Sequence, residues 1–207
     1  MDYGFSDFEK DIDVSRETSA HLKTYGDLLV KWQKAKNLIA NSTLDDIWHR
    51  HFLDSAQLAP HLEACYGKKQ LTMLDIGSGA GFPGLVLSAM GVGIAHMVEA
   101  NGRKCIFMRQ VIRETGMNAD IHNERIENIT PFPVDIITSR ACASVSQLIK
   151  WAAPFLEFSP EIWLLKGETA EEELTEAQAY WTMEIDRYPS RTDAKGVILR
   201  LKNIKKA

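Results

Sequence analysis

The sequence predicts an α/β fold: a doubly wound, mostly parallel sheet of seven strands with an N-terminal cap of two helices. Three observations carry this. From Leu71 onward, short apolar runs alternate with amphipathic stretches, the pattern of strands joined by crossover helices. The first run passes into Asp75-Ile-Gly77-Ser-Gly79-Ala-Gly81-Phe-Pro83-Gly84, which reads as strand end, glycine turn and helix start. Upstream, apolar residues recur at spacings of three and four instead of two.

Residues 1–14 read as an acidic, loosely ordered arm, residues 15–66 as a helical cap and residues 67–207 as the sheet domain, cap and sheet forming one compact unit. Ser15 caps a helix with Glu17 in its first turn, and Leu22, Tyr25, Leu29 and Trp32 form its apolar stripe to about Ala35. Ser42 and Asp45 start a second helix with Leu44, Ile47, Trp48 and Phe52 on its apolar side. Leu71–Ile76, Ile94–Val98, Asn118–His122, Val134–Thr138 and Ile162–Leu165 are the parallel strands. Helices are expected over Arg103–Glu114, with Ile106, Val111 and Phe107 inward, over Val145–Leu156 and over Glu168–Tyr180. Trp181–Tyr188 and Val197–Leu201 alternate and close the sheet as an antiparallel pair.

Composition narrows the class. An apolar fraction of 45% over 207 residues is that of a globular protein with a core. No run of 18 apolar residues and no basic-then-apolar leader occurs, so a cytoplasmic protein without a membrane partner is expected. Cys65, Cys105 and Cys142 share no CxxC spacing, so neither a disulfide framework nor a metal site is implied. The net charge of −4 is unevenly spread. Residues 1–20 hold six acids and two bases, and residues 168–176 hold five acids and no base, which leaves the remainder positive by five. A basic face is therefore compatible with the acidic total.

The glycine turn can be read in two ways. Gly79-x-Gly81-x-x-Gly84 satisfies the dinucleotide fingerprint of a nicotinamide-dependent oxidoreductase. Asp75 at the strand end would repel a pyrophosphate, whereas S-adenosyl-L-methionine has no phosphate and carries an amine and a sulfonium. Asp75, Gly77, Gly79 and Gly81 therefore point to S-adenosyl-L-methionine. Glu99 closes the second strand 22 residues after Gly77, where an acid accepts hydrogen bonds from ribose.

Chemistry belongs at the ends of strands four and five, Thr138–Ala143 and Leu165-Lys166-Gly167. The Asp/Asn-Pro-Pro-aromatic signature of amino methylation is absent there. Cys142 lacks the proline that usually precedes a pyrimidine C5 nucleophile, and no Lys-Asp-Lys-Glu set for ribose methylation can be assembled. What remains is an acceptor that needs little chemical help. Guanine N7 has an unprotonated lone pair, so the enzyme has only to align N7, methyl and sulfur and to exclude water. Arg140 and Lys166 suit guanine O6 or flanking phosphates; singly, each also reads as a surface ion-pair partner. A non-catalytic S-adenosylmethionine- or RNA-binding regulator is the rival of another class.

Leu74-Asp75-Ile76-Gly77-Ser78-Gly79-Ala80-Gly81-Phe82-Pro83-Gly84, with Arg50-His51-Phe52-Leu53-Asp54-Ser55 and Lys36-Asn37-Leu38 before it and Ser139-Arg140-Ala141 and Leu165-Lys166-Gly167 after it, resembles the bacterial small-subunit ribosomal RNA guanine-N7 methyltransferases, also called glucose-inhibited division protein B. The resemblance covers about residues 20–201. It implies a class I (Rossmann-like) methyltransferase fold, S-adenosyl-L-methionine as cofactor, and N7 methylation of one guanine, guanosine 527 in the usual numbering. Its partner would be small-subunit ribosomal RNA or its ribonucleoprotein, not DNA, and the enzyme is expected to be a monomer. Carried over by position, the cofactor contacts fall on Gly77, Phe82, Ile126, Glu127 and Arg140, with Phe82 and the Ile126-Glu127 peptide bordering the adenine. Asn37, Arg50, His51 and Asp54, in the shared motifs, are expected on the substrate side, although alone each of the last three reads as a solvated or capped polar group. Arg103 and Lys104 join Lys34, Lys36, Arg50 and Lys166 as a candidate basic rim. Two departures stand out: Glu99-Ala100 replaces a usual Asp-Ser, and Trp32-Gln33 replaces a usual Trp-Asn.

Overall fold

The computed structural model describes residues 3–140 and 142–207. Seven strands, β1 (Leu71–Ile76), β2 (Gly93–Val98), β3 (Ala119–His122), β4 (Ile136–Arg140), β5 (Glu161–Lys166), β6 (Trp181–Pro189) and β7 (Val197–Lys206), form one sheet in the order β3-β2-β1-β4-β5-β7-β6. The first five run parallel, and β7 lies antiparallel to both β5 and β6. Strand order reverses between β1 and β4, so the crevice for a ligand opens at their carboxyl ends.

The side chains of β1 divide the core in two. Leu71 and Met73 join one apolar cluster, Leu74 and Ile76 the other, as a strand with a period of two requires when both faces are covered. The first cluster contains the cap side of the molecule: α1 (Phe5–Asp11), α2 (Arg16–Lys36), α3 (Asp54–Ala56) and α4 (Leu58–Tyr66), with α5 (Gly84–Ala89) and α6 (Gly102–Thr115). The second lies under α7 (Val145–Ala152) and α8 (Ala170–Gln178). Tyr25 of α2, fully buried, stacks on Phe82 at 5.2 Å and donates to Ala80 O at 2.6 Å, so the cap is bonded directly to the glycine turn. No described helix is long and apolar enough to cross a membrane.

Four sequence expectations change. The loose arm is partly helical: Phe5–Asp11 forms α1, whose Phe8 is buried against Trp48 and Phe52. Ser42 does not cap a helix; Asn41–Asp46 is a 3-10 turn followed by a π-helical turn over Trp48–Leu53. Gln33 explains the break. It is nearly buried, accepts from Leu38 N at 2.7 Å and Ile39 N at 3.0 Å, and donates to Ile39 O and Asn41 Oδ1, folding the chain back at the end of α2. In α6, Ile106 points outward and is 56% exposed, while Cys105, Phe107, Met108 and Val111 are buried. Finally, β4 is shifted two residues along, because Met73 pairs with Ile136, and this makes Arg140 its last strand residue.

Candidate active site

At the carboxyl edge of β1, β2 and β4 lies a cavity of about 500 Å³. Gly77, Gly79 and Phe82 of the glycine turn line it, with Glu99, the Ile126-Glu127 peptide and Arg140. The turn is held by its own chain. Gly77 N and Ser78 N donate to Val98 O, Gly79 N to Glu99 Oε2 at 2.9 Å, Gly81 N and Phe82 N to Ser78 O, and Gly84 N to Asp75 Oδ2 at 3.1 Å. A pyrophosphate needs those donors and would find them taken, with carboxylates at two of them. A nucleoside bearing a cation needs none of them. The residues therefore fit S-adenosylmethionine: Glu99 has lone pairs left for a ribose, and Ile126, Leu38 and Ile39 give an apolar surface for a base.

The sequence-predicted residues separate here. Gly79 has φ +59°, and a Cβ added to it would meet protein no nearer than 3.9 Å, so its open side faces the cavity. Gly81 does not line the cavity. A Cβ there would strike Leu85 at 2.6 Å and the Tyr25 hydroxyl at 2.7 Å, so this glycine makes room for the cap. Asp75 does not line the cavity either. Strand alternation turns it beneath the loop, fully buried, where it accepts from Gly84 N and from Thr138 Oγ1 at 3.0 Å. Phe82 lines the cavity but is only 2% exposed, its ring packed among Tyr25, Phe52 and His51.

Burial raises the Asp75 carboxyl to about 7. Its folded pKa thus exceeds the ordinary 3.8, so between those pH values the folded protein holds a proton that the unfolded chain releases. Stability from this group is complete at low pH and is lost as pH rises through about 7, by about 1.4 kcal/mol per pH unit inside that window. Asp75→Asn, whose carbonyl can accept from Gly84 N and whose amide can donate to Thr138 Oγ1, is expected to remove this fall. Urea midpoints of both proteins from pH 5 to pH 8 check it; parallel curves would refute the assignment.

Arg140 joins the sheet to the cap. Its Nη1 donates to Arg50 O at 2.9 Å and to Asp54 Oδ2 at 3.3 Å, its Nη2 lies 2.8 Å from His51 Nδ1, and the guanidinium sits 5.0 Å from the Phe82 ring centre. Arginine only donates, so His51 Nδ1 accepts and its Nε2 carries the proton, directed at Thr43 Oγ1 2.8 Å away. Burial and the neighbouring Arg140 and Arg50 pull His51 down to about 3, keeping it neutral. Beyond Arg140 and His51, which line both, a second cavity of about 320 Å³ opens between the π-helical turn, the end of β5 and the 190–196 loop.

Lys166 lines that second cavity, yet its ammonium is not free to contact a base. It donates to Ala143 O at 2.5 Å and pairs with Glu173 Oε2 at 2.6 Å, and the side chain is only 6% exposed. The expected role in holding guanine is corrected to a brace between β5 and α8. Arg50 and Asp54 line the second cavity and Lys104 the first; Asn37 and Arg103 line neither, Asn37 serving as the left-handed C-cap of α2. Sequence reasoning missed Trp151, whose Nε1 donates to Glu127 Oε1 at 2.9 Å across the mouth. It also left the Trp32-Gln33 departure open, and Gln33 is what presents Leu38 and Ile39 to the cavity.

Cys142 lines the first cavity, and burial with Asp75 and Glu99 nearby pushes its thiol above the usual range, the wrong direction for a nucleophile. Cys142→Ser is expected to keep turnover within about threefold of the parent, as for a surface-type change. Complete loss of turnover in the folded variant would revive pyrimidine C5 chemistry.

The fold and this glycine-turn cavity define a class I methyltransferase. Solved structures of that class are similar to it: magnesium protoporphyrin IX methyltransferase from Synechocystis (TM-score 0.62, 9% identity, 86% of this chain and 97% of that one) and a SAM-dependent methyltransferase from Aquifex aeolicus (TM-score 0.56, 18% identity, 82% and 96%). The family model described as rRNA small subunit methyltransferase G matches residues 18–195, and the chain belongs to that family. It is 46% identical over 200 residues to ribosomal RNA small subunit methyltransferase G of Rhodospirillum rubrum, covering 97% of this chain and 98% of the relative. It is 47% identical over 199 residues to that of Rhodospirillum centenum, covering 96% and 90%.

Proposed function

We propose that this enzyme transfers the methyl group of S-adenosylmethionine to N7 of one guanine in small-subunit ribosomal RNA, guanosine 527 in the usual numbering. Family membership supports the methyl donor and the RNA class. One observation supports N7: the second cavity meets the first at Arg140 and His51, and the side chains gathered at that junction offer no free base or nucleophile. His51 is neutral and bonded at both nitrogens. Asp54 accepts from Gln57, Thr192 and Arg140, and the Lys166 ammonium is paired. Deprotonating an exocyclic amine or a ribose hydroxyl beside the methyl group would need a base that Arg140, His51, Asp54 and Lys166 do not supply. The N7 lone pair needs only alignment with the methyl–sulfur axis and exclusion of water.

In this reading the cofactor supplies an electrophilic methyl group on sulfur. Glu99 holds the ribose, Ile126, Leu38 and Ile39 surround the adenine, and Arg140 stands at the junction where donor and acceptor meet. The test is incubation with labelled S-adenosylmethionine and small-subunit RNA from a strain lacking the enzyme, followed by mapping. Label in 7-methylguanosine at one position is expected; label on an amine, a ribose or a pyrimidine would overturn the reading.

A further inference from the structure

The second cavity has a polar lining that is nearly all committed to itself. Thr43 Oγ1 donates to Ala40 O and receives His51. Gln57 Nε2 donates to Asp54 while its Oε1 accepts from Arg191 N at 2.8 Å. Thr192 Oγ1 donates to Asp54 Oδ1 at 2.6 Å, and Ser190 Oγ accepts from Thr192 N at 3.2 Å. These bonds tie the 190–196 loop rigidly to the cap. Among the described residues, two charged side chains of the lining keep capacity to spare. The Arg50 guanidinium, exposed at the cap side, forms no ion pair. Asp193, on the loop side, accepts Lys195 N on Oδ1 at 2.9 Å and has Oδ2 left over.

A donor on one side and a carboxylate on the other match one base. Guanine carries acceptors, O6 and N7, on its major-groove edge and two donors, N1–H and the 2-amino group, on its Watson–Crick side. Adenine, cytosine and uracil do not offer two adjacent donors to a carboxylate. We propose that the second cavity seats the acceptor guanine, with Asp193 accepting from N1–H and the 2-amino group and Arg50 donating to O6. N7 then faces the junction at Arg140, where the methyl group arrives. Asp193 is thus a specificity-determining residue, and the 190–196 loop, far along the chain from every cofactor contact, reads the base. The inference rests on the N7 assignment above.

The experiment uses the whole enzyme and two RNAs, one with guanosine and one with inosine at the acceptor position. Inosine keeps N7, O6 and N1–H but lacks the 2-amino group. The parent is expected to favour guanosine over inosine in kcat/KM by about 10- to 100-fold, the discrimination of a lost bidentate contact. Asp193→Asn keeps an oxygen for Lys195 N but sets an amide donor against the base's donors. It is expected to lower guanosine methylation by about 10- to 100-fold, to bring the guanosine-to-inosine ratio close to one, and to leave S-adenosylhomocysteine affinity unchanged. Asp193→Ala is expected to collapse the ratio in the same way. If both variants bind S-adenosylhomocysteine normally and keep the parental ratio, Asp193 does not read the base and the proposal fails. If the parent's product is not 7-methylguanosine, the functional reading fails, and the proposal with it.

Discussion

Gly79→Val is expected to abolish cofactor binding while leaving a folded protein. Two effects combine. The residue sits at φ +59°, where a β-branched side chain costs about 1–3 kcal/mol of backbone strain. The added side chain also enters the open side of the turn, where no described protein atom lies closer than 3.9 Å and where the cavity proposed for the nucleoside opens. Overpacking of that kind costs about 1–3 kcal/mol even when a site can give, and here the ligand has nowhere to move. The overlap with the ligand should weaken S-adenosylhomocysteine by at least about 100-fold, measured by isothermal titration, while the strain, present with or without ligand, should lower stability. Gly116→Val is the control. It places the same side chain at φ +68° with nothing within 4 Å and far from the cavity, so it should cost stability without costing affinity. Normal binding by Gly79→Val would move the ligand site away from the turn.

Arg140→Ala is expected to lower single-turnover methylation at saturating cofactor and RNA by about 100-fold, the scale of a misplaced reactant. The guanidinium holds Arg50 O, Asp54 and His51 together, and removing it frees the π-helical turn that walls the second cavity. A stability loss of about 1–3 kcal/mol should accompany it, from hydrogen bonds to a charged group. Arg140→Lys should recover little, because an ammonium cannot reach three acceptors with a planar fork. Cofactor affinity has to be titrated separately, since Arg140 lines the first cavity as well. Parental rates in Arg140→Ala would place the acceptor elsewhere.

Strand alternation and the glycine turn were legible because each is written in adjacent residues: an apolar run has one reading at that length, and three glycines in alternation need a tight turn. Long-range partners were not. Nothing beside Asp75 says that strand parity turns it under the loop to receive Gly84 N and Thr138, and nothing beside Lys166 says that Glu173 will claim its ammonium. Trp151 and Gln33 carry no local signature at all; their parts follow from what tertiary packing brings opposite them. The phase of α6 failed for a related reason: Ile106 is as apolar as its neighbours, and only the position of α2 decides which face is covered.

One guanidinium that walls two cavities also bears on how a reaction cycle ends. In the proposed N7 transfer, a sulfonium and a neutral guanine would enter and a neutral thioether and a cationic 7-methylguanine would result, so a positive charge would move from the first chamber into the second without changing the total. Arg140 faces both chambers and Arg50 faces only the second. The substrate base meets those cations as a neutral acceptor, whereas the methylated base meets them as a like charge. On that proposal, the same side chains that receive the guanine would loosen their hold on it once it is methylated, and the thioether left behind would no longer face Arg140 as a fellow cation.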